Sequence, residues 1–334
     1  MQTIKELKTT IEHVIEDINQ VFIVAHTKVD FDAVASSVAM SLIIKKLEKP
    51  VYIILEEDST TIEPGSKKMI DEISNCVSII DMNKFKRLKS DKDLLIVVDT
   101  NKDYKVCCKD FLNDFKNILV IDHHHEDDHT IKTDYIFNKP DGVSSASEVL
   151  TDLLCMFKVK YSPTVANFLL AGIYVDTKTL TKKNTFKSTI NAVSKLLSRG
   201  GDISKANAYF IEDFNSDNKV NNLVSRATFM GYRVGVSLAE ETERYRSEEL
   251  SKAADSLLRY DADATFATGY IDDNIVSIKA RSNGRIDVGS IMSELGGGGN
   301  TYSAATELPD ENINNAEEKL MKILKPKFYK EEIN

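Results

Sequence analysis

The chain has 334 residues, 42% of them hydrophobic and 28% charged, and a formal charge of −9. Such a length fits two domains better than one core, and such a composition excludes a largely disordered chain. The acidic balance excludes a surface that grips long nucleic acid through a basic stripe, while a small anionic ligand stays open if metal ions supply positive charge locally.

The four cysteines, Cys76, Cys107, Cys108 and Cys155, show neither zinc-ligand spacing nor a C-x-x-C motif and read as reduced cytosolic thiols. No apolar run approaches the ~18 residues of a membrane span. Residues 1–20 are amphipathic and charged, unlike a secretory signal, so a cytoplasmic location is expected.

Taken in order, Ile4, Leu7, Ile11, Val14, Ile15 and Ile18 recur at helical spacing and predict an amphipathic first helix. Residues 21–25 are a continuous apolar run ending at His26; Asp30, Asp32 and a helix-compatible stretch over 33–47 follow. Further strands are predicted over 51–55, 76–80, 94–98 and 118–121, the last two running into Asp99 and into Asp122-His123-His124-His125. Strands alternating with helical patterns predict an α/β fold, a parallel sheet with helices on both faces. Such sheets bind ligands beyond the carboxyl ends of their strands, where His26, Asp99 and Asp122-His123 all fall.

Ser145-x-x-Glu148 ahead of Val149-Leu150 reads as a capping box, which gives Ser144 and Ser145 a structural role. Pro163 opens a helix towards Ile173, with Asp176-Thr177 at or just past its end, and a helix over 190–197 is stopped by Gly200-Gly201. Asn, Asp and Ser then crowd together, marking a linker at 214–225 between a first domain, 1–213, and a smaller α/β domain, 226–334. In the second domain, strands are predicted near 232–238, 265–270 and 275–280, and helices near 247–258 and 288–295.

His26-x-x-x-Asp30-x-Asp32 puts one imidazole and two carboxylates on a short loop. Asp99 alone is an ordinary strand-end residue; beside His26, Asp30, Asp32, His123 and Asp176 it becomes a candidate bridging carboxylate. Four of the six histidines lie between His123 and His129, although a His-rich tract by itself also reads as a solvated loop. Oxygen-rich ligation with a few imidazoles suits Mn²⁺ better than thiolate-loving ions, with Mg²⁺, Co²⁺ and Fe²⁺ still open.

In order, the stretches His26–Ala33, Asp99, Asp122-His123-His124 and Gly172–Thr177 resemble the four motifs of the DHH phosphoesterases, and Gly296–Gly299 with Ala304-Ala305, preceded by Ala280-Arg281-Ser282, resembles the associated DHHA1 domain. The third histidine, the Val175–Lys178 run and the four-glycine loop look most like the GdpP-type cyclic-di-AMP phosphodiesterases. The resemblance implies two divalent metal ions: His26 and Asp30 on the first, Asp32, His123 and Asp176 on the second, Asp99 between them. It further implies that His124 faces the scissile phosphate, Asp122 orients the histidine pair, and Arg281, Ser282, Gly297, Gly298, Gly299 and Asn300 meet the nucleotide. Hydrolysis of cyclic-di-AMP to pApA, with onward cleavage to AMP as an option, is the activity implied; an NrnA-like nanoRNase or pAp phosphatase is the alternative. The expected partner is a small nucleotide, with a homodimer as an option.

Two departures stand out. The family loop usually continues from its glycines into His, where this chain has Asn300, which carries neither charge nor a proton at neutral pH and suggests a nucleotide sensor without turnover as a competing reading. GdpP-type proteins also carry membrane helices, a PAS domain and a degenerate GGDEF domain ahead of this module, so the sequence is expected to be either that module excised or a stand-alone form. An inorganic pyrophosphatase or polyphosphatase shares the metal motifs but leaves Arg281-Ser282 and the glycines without a task.

Overall fold

The computed structural model describes residues 3–328 apart from 56–61, 63, 75, 212 and 232. Two compact units divide the chain, Met1–Ile211 and Glu212–Asn334.

The first unit runs α1 (Ile4–Val14), β1 (Val21–Val24), α2 (Phe31–Lys46), β2 (Val51–Ile54), α3 (Pro64–Ile73), β3 (Ile79–Ile80), α4 (Met82–Leu88), β4 (Leu94–Val98), β5 (Asn117–Asp122), β6 (Tyr135–Asn138), α5 (Ala146–Met156), α6 (Pro163–Thr177), α7 (Lys187–Ser198) and α8 (Ile203–Asn207). Its six strands pair in parallel in the order β3-β2-β1-β4-β5-β6. Both faces are buried, which is why the strands read as unbroken apolar runs. Val21 and Ile23 of β1 join one core with α2, α5 and α6; Phe22 and Val24 join another with Phe85 of α4 and Phe115. The strand order reverses between β1 and β4, and the crevice at such a reversal is where α/β sheets bind ligands.

The second unit contains α9 (Phe214–Ser225), β7 (Thr228–Met230), β8 (Val234–Leu238), α10 (Ser247–Leu257), β9 (Ala264–Asp272), β10 (Ile275–Ser282), α11 (Val288–Ser293), β11 (Gly298–Gly299), β12 (Ser303–Pro309) and α12 (Ile313–Phe328). Its sheet has the order β11-β12-β10-β9-β8-β7 and is antiparallel except between β8 and β9. Thr265 Oγ1 donates to Ala254 O, which ties one face to α10. Thr306 Oγ1 donates to Leu295 O, just past α11, on the other face.

Several expectations need correction. The stretch 214–225, read as a linker, is helix α9: Asp213 caps it by accepting from Asn215 N, and Val220 and Leu223, three apart, bury one side. Polar crowding hid that short apolar stripe. The strand expected over 76–80 is only Ile79–Ile80, since Cys76 and Val77 are bonded back to Ile73 O at the end of α3. The strand expected from 232 begins at Val234, and residue 232 lies outside the described residues. No helix among the described residues is long and apolar enough to cross a membrane.

Candidate metal centre

Each acidic or imidazole group near the sheet reversal is placed by the end of a regular element. His26 follows β1 and is held by a bridge to Val106. Asp30 is the N-cap of α2, accepting from Ala33 N at 3.0 Å, and Asp32 sits in the first turn of that helix. One residue past β4, Asp99 takes a left-handed conformation, φ 59°, which aspartate adopts more readily than most residues. Asp122 ends β5, His123 and His124 follow it, and Asp176 lies in the last turn of α6.

These groups gather into ligand sets that share Asp99. His123 Nε2 lies 3.3 Å from Asp99 Oδ1, 3.4 Å from Asp176 Oδ2 and 3.8 Å from Asp32 Oδ2. His26 Nε2 lies 3.3 Å from Asp99 Oδ2 and 3.6 Å from Asp30 Oδ1. Atoms held ~2.1 Å from one ion at 90–110° are ~3.0–3.4 Å apart, so most of these spacings match the edges of a coordination shell better than short hydrogen bonds. Asp99 turns one oxygen to each histidine. Asp122 Oδ2 and Asp176 Oδ2 are buried and find no hydrogen-bond partner among the described residues.

The electrostatics point the same way. Burial, then Asp99 and Asp176, push the Asp32 carboxyl well above its ordinary value. Burial and Asp99 raise Asp176 to about 7 against the pull of His123. Asp99 is buried too, yet His123 and His26 hold it below the usual carboxylate range. Burial opposes the imidazolium of both histidines, but Asp30 and Asp99 raise His26 to about 10, and Asp99 and Asp176 raise His123 to about 9. Protons thus stand in for positive charge that the donor set demands, and oxygen and imidazole donors of this kind fit divalent cations.

A supporting layer fixes the ligands. Both oxygens of fully buried Asp32 accept backbone N–H groups from the start of α5, Ala146 N at 2.8 Å and Ser147 N at 2.7 Å. Ser145 caps α5 as anticipated, but the reciprocal arm is different: Glu148 Oε2 accepts from Ser144 N, Ser144 Oγ and, from α7, Thr189 Oγ1. Gly172 of α6 lets that helix close on the pair, for a Cβ there would lie 2.2 Å from Ser147 Oγ and 2.9 Å from Asp32 Oδ1. His124 Nδ1 is 2.8 Å from Asp122 Oδ1. Asn101 and Asn138 donate to His124 O, and Lys102 donates to His125 O. The sequence reading missed Asn101 and Asn138 and gave Glu148 only a local capping role; the two asparagines stand at or just beyond strand ends, a signal used for Asp99 but not for them.

In the second unit the anticipated nucleotide-binding residues have partners of their own within that unit. Arg281 Nε lies 3.3 Å from Asp255 Oδ1, and its Nη1 donates to Ala280 O. Ser282 is 6% exposed; its hydroxyl donates to Asp263 O and accepts from Gly284 N. A Cβ at Gly297 would lie 2.2 Å from Ala305 O, whereas at Gly298 it would meet open space; Gly299 takes φ 147° against β12. Asn300 Oδ1 accepts from Tyr302 N and Ser303 N, so this side chain closes its own turn and leaves only its amide N–H₂ to reach outwards.

Residues 20–173 match the model of the DHH family, N-terminal domain, and residues 231–326 that of the DHHA1 domain. The chain is 29% identical over 327 residues to the cyclic-di-AMP phosphodiesterase PdeA of Listeria monocytogenes, covering 94% of this chain and 49% of that protein. It is 29% identical over 319 residues to the cyclic-di-AMP phosphodiesterase GdpP of Bacillus subtilis, covering 93% and 48%. A bifunctional oligoribonuclease and PAP phosphatase NrnA of Mycoplasma pneumoniae is 28% identical over 222 residues, covering 64% and 67%. The chain spans about half the length of the two phosphodiesterases. An exopolyphosphatase-related protein from Bacteroides fragilis shares the fold over 96% of both chains, with a TM-score of 0.77 at 18% identity. Exonuclease RecJ bound to manganese shares it over 96% and 94%, with a TM-score of 0.55 at 12% identity.

Proposed function

The chain belongs to the DHH family, and we propose that it is a phosphodiesterase that uses two divalent cations, Mn²⁺ foremost, to open cyclic-di-AMP to pApA. The observation that carries the reaction type is Asp99, whose two oxygens face two separate ligand sets at the sheet reversal. The preference for a cyclic dinucleotide is supported by similarity to PdeA and GdpP along more than nine-tenths of the chain, against 64% for NrnA.

On this reading His26, Asp30 and Asp99 would hold one cation and Asp32, Asp99, His123 and Asp176 the other. When bound, such a pair supplies a nucleophile from water at neutral pH and offsets charge on the phosphoryl oxygens. The chain's own contribution is positional. The start of α5 aims Asp32 and favours its ionised form, because a carboxylate accepting backbone N–H groups is stabilised as the anion. Asp122 fixes the ring of half-exposed His124 through Nδ1, leaving Nε2 for a phosphoryl oxygen or the departing alkoxide. The asparagine pair on His124 O keeps that loop from drifting.

Incubation of the protein with Mn²⁺ and cyclic-di-AMP or pApA, with products resolved by chromatography, tests the proposal. Conversion of cyclic-di-AMP to pApA is expected. Rapid turnover of pApA beside an unchanged cyclic-di-AMP peak would overturn it in favour of an NrnA-like activity.

A further inference from the structure

Lys279 of β10 is 9% exposed, and no hydrogen bond or ion pair from a described residue reaches its ammonium. Burial lowers the lysine below its ordinary value; Glu307 works against that shift and Arg281 adds to it. Buried lysines are costly to keep without an acceptor, so the surroundings are informative. Sheet register puts Lys279 opposite Ala305 of β12, and Ala305 opposite Gly298 of β11, so the three share one transverse row and one face. The next row on that face holds Arg281 and Ser303. Nothing lies within 4 Å of where a Cβ of Gly298 would stand. On this face Lys279 and Arg281 stand over small side chains, Glu307 occupies the row on the other side of Lys279, and α10 covers the β9 side and meets Arg281 through Asp255.

We infer that Lys279, with Arg281 beside it, forms an anion subsite on this open strip of the second sheet, taking a phosphate of a nucleotide that lies across Ala305 and Gly298. The inference rests on the proposed nucleotide chemistry and deepens it by naming a specificity residue. Asp255 holds the Arg281 guanidinium at its Nε, leaving other N–H donors of the fork for the phosphate. Lys279 has no such tether among the described residues, and its buried stem limits the rotamers to be frozen on binding.

Lys279→Met keeps an unbranched apolar stem and removes the charge; Lys279→Arg restores a cation. Loss of one charge-assisted contact is expected to raise KM for the dinucleotide about tenfold or more, with kcat within about twofold and Lys279→Arg close to wild type. Hydrolysis of bis(p-nitrophenyl) phosphate, which lacks a second nucleotide, should be unaffected by either variant. In parallel, calorimetry on the metal-free full chain should show AMP binding more tightly than adenosine, a difference that Lys279→Met erases. Unchanged KM together with an unchanged AMP preference in a folded Lys279→Met protein would overturn the inference. If the wild type cleaves no dinucleotide, the functional reading fails, and the AMP and adenosine titrations still decide the role of Lys279.

Discussion

At the sheet edge of the first unit, Asp122 and Asp176 leave carboxylate oxygens buried with no hydrogen-bond partner among the described residues, whereas in the second unit Ser282 and Asn300 commit their oxygens to backbone groups of that unit. The first arrangement is costly unless cations arrive, since a buried charge must be paired or neutralised. The second is self-sufficient. Polar residues that look alike in a motif thus divide into those the fold leaves unsatisfied, which point to a ligand, and those it satisfies, which shape a loop. By that criterion Lys279, absent from the motif, says more about binding than Ser282, which is in it.

The sharpest way to break the contrast is Asp99→Ala. Because both ligand sets lose a member, bound Mn²⁺ should fall from two per chain towards none, and activity should drop by about 10³-fold or more, since a catalytic ion supplies several kcal/mol. Metal analysis by mass spectrometry beside a turnover assay checks this, and retention of two ions by the variant contradicts the sharing of Asp99.

An intermediate effect is expected from pH. In the cation-free chain His26 and His123 are raised to about 10 and about 9, so their contribution is complete below the unfolded histidine value and fades as pH climbs through the raised ones. Asp176, raised to about 7, also holds its proton more tightly when folded, so its contribution fades as pH passes from the ordinary carboxylate range to about 7. Asp99, held low, acts oppositely and only in acid. The rise in Tm on adding Mn²⁺ should therefore grow from about pH 6 to about pH 9. A Mn²⁺ effect that is flat over this range in thermal melts contradicts protons standing in for the cations.

The smallest effect belongs to Asn300. Asn300→Ala releases Tyr302 N and Ser303 N to solvent, a loss of about 1 kcal/mol or less in stability. Mn²⁺ affinity should not change, and dinucleotide KM should move by less than about threefold. A shift near that expected for Lys279→Met would give the Asn300 amide a direct part in binding.

Much of the first unit was legible because its strands are buried on both faces and end in residues of one chemical kind. His26, Asp99 and Asp122 announced themselves by ending apolar runs. The distances among them were not legible, for they depend on the strand order β2-β1-β4-β5 and on the left-handed turn at Asp99. Short elements escaped as well: β6 is a mixed run of four residues, and the stripe of α9 is Val220 and Leu223, with Val224 beside them, in an otherwise largely polar stretch. Glu148 was read as one half of a local cap, and only packing against α7 reveals Thr189 as its third donor. The partner of Ser282 was hidden for the same reason, since its acceptor, Asp263 O, is nineteen residues away in sequence.

Asp32 is steered by amide groups at 146 and 147, which every amino acid except proline possesses. Exchanging one side chain for another at either position leaves that guidance in place, so an alanine scan would pass over the very contacts that orient a ligand of the proposed centre. Proline at 146, the opening position of α5, is the informative exception: a helix accepts it there, and what vanishes is one amide hydrogen pointing at a carboxylate.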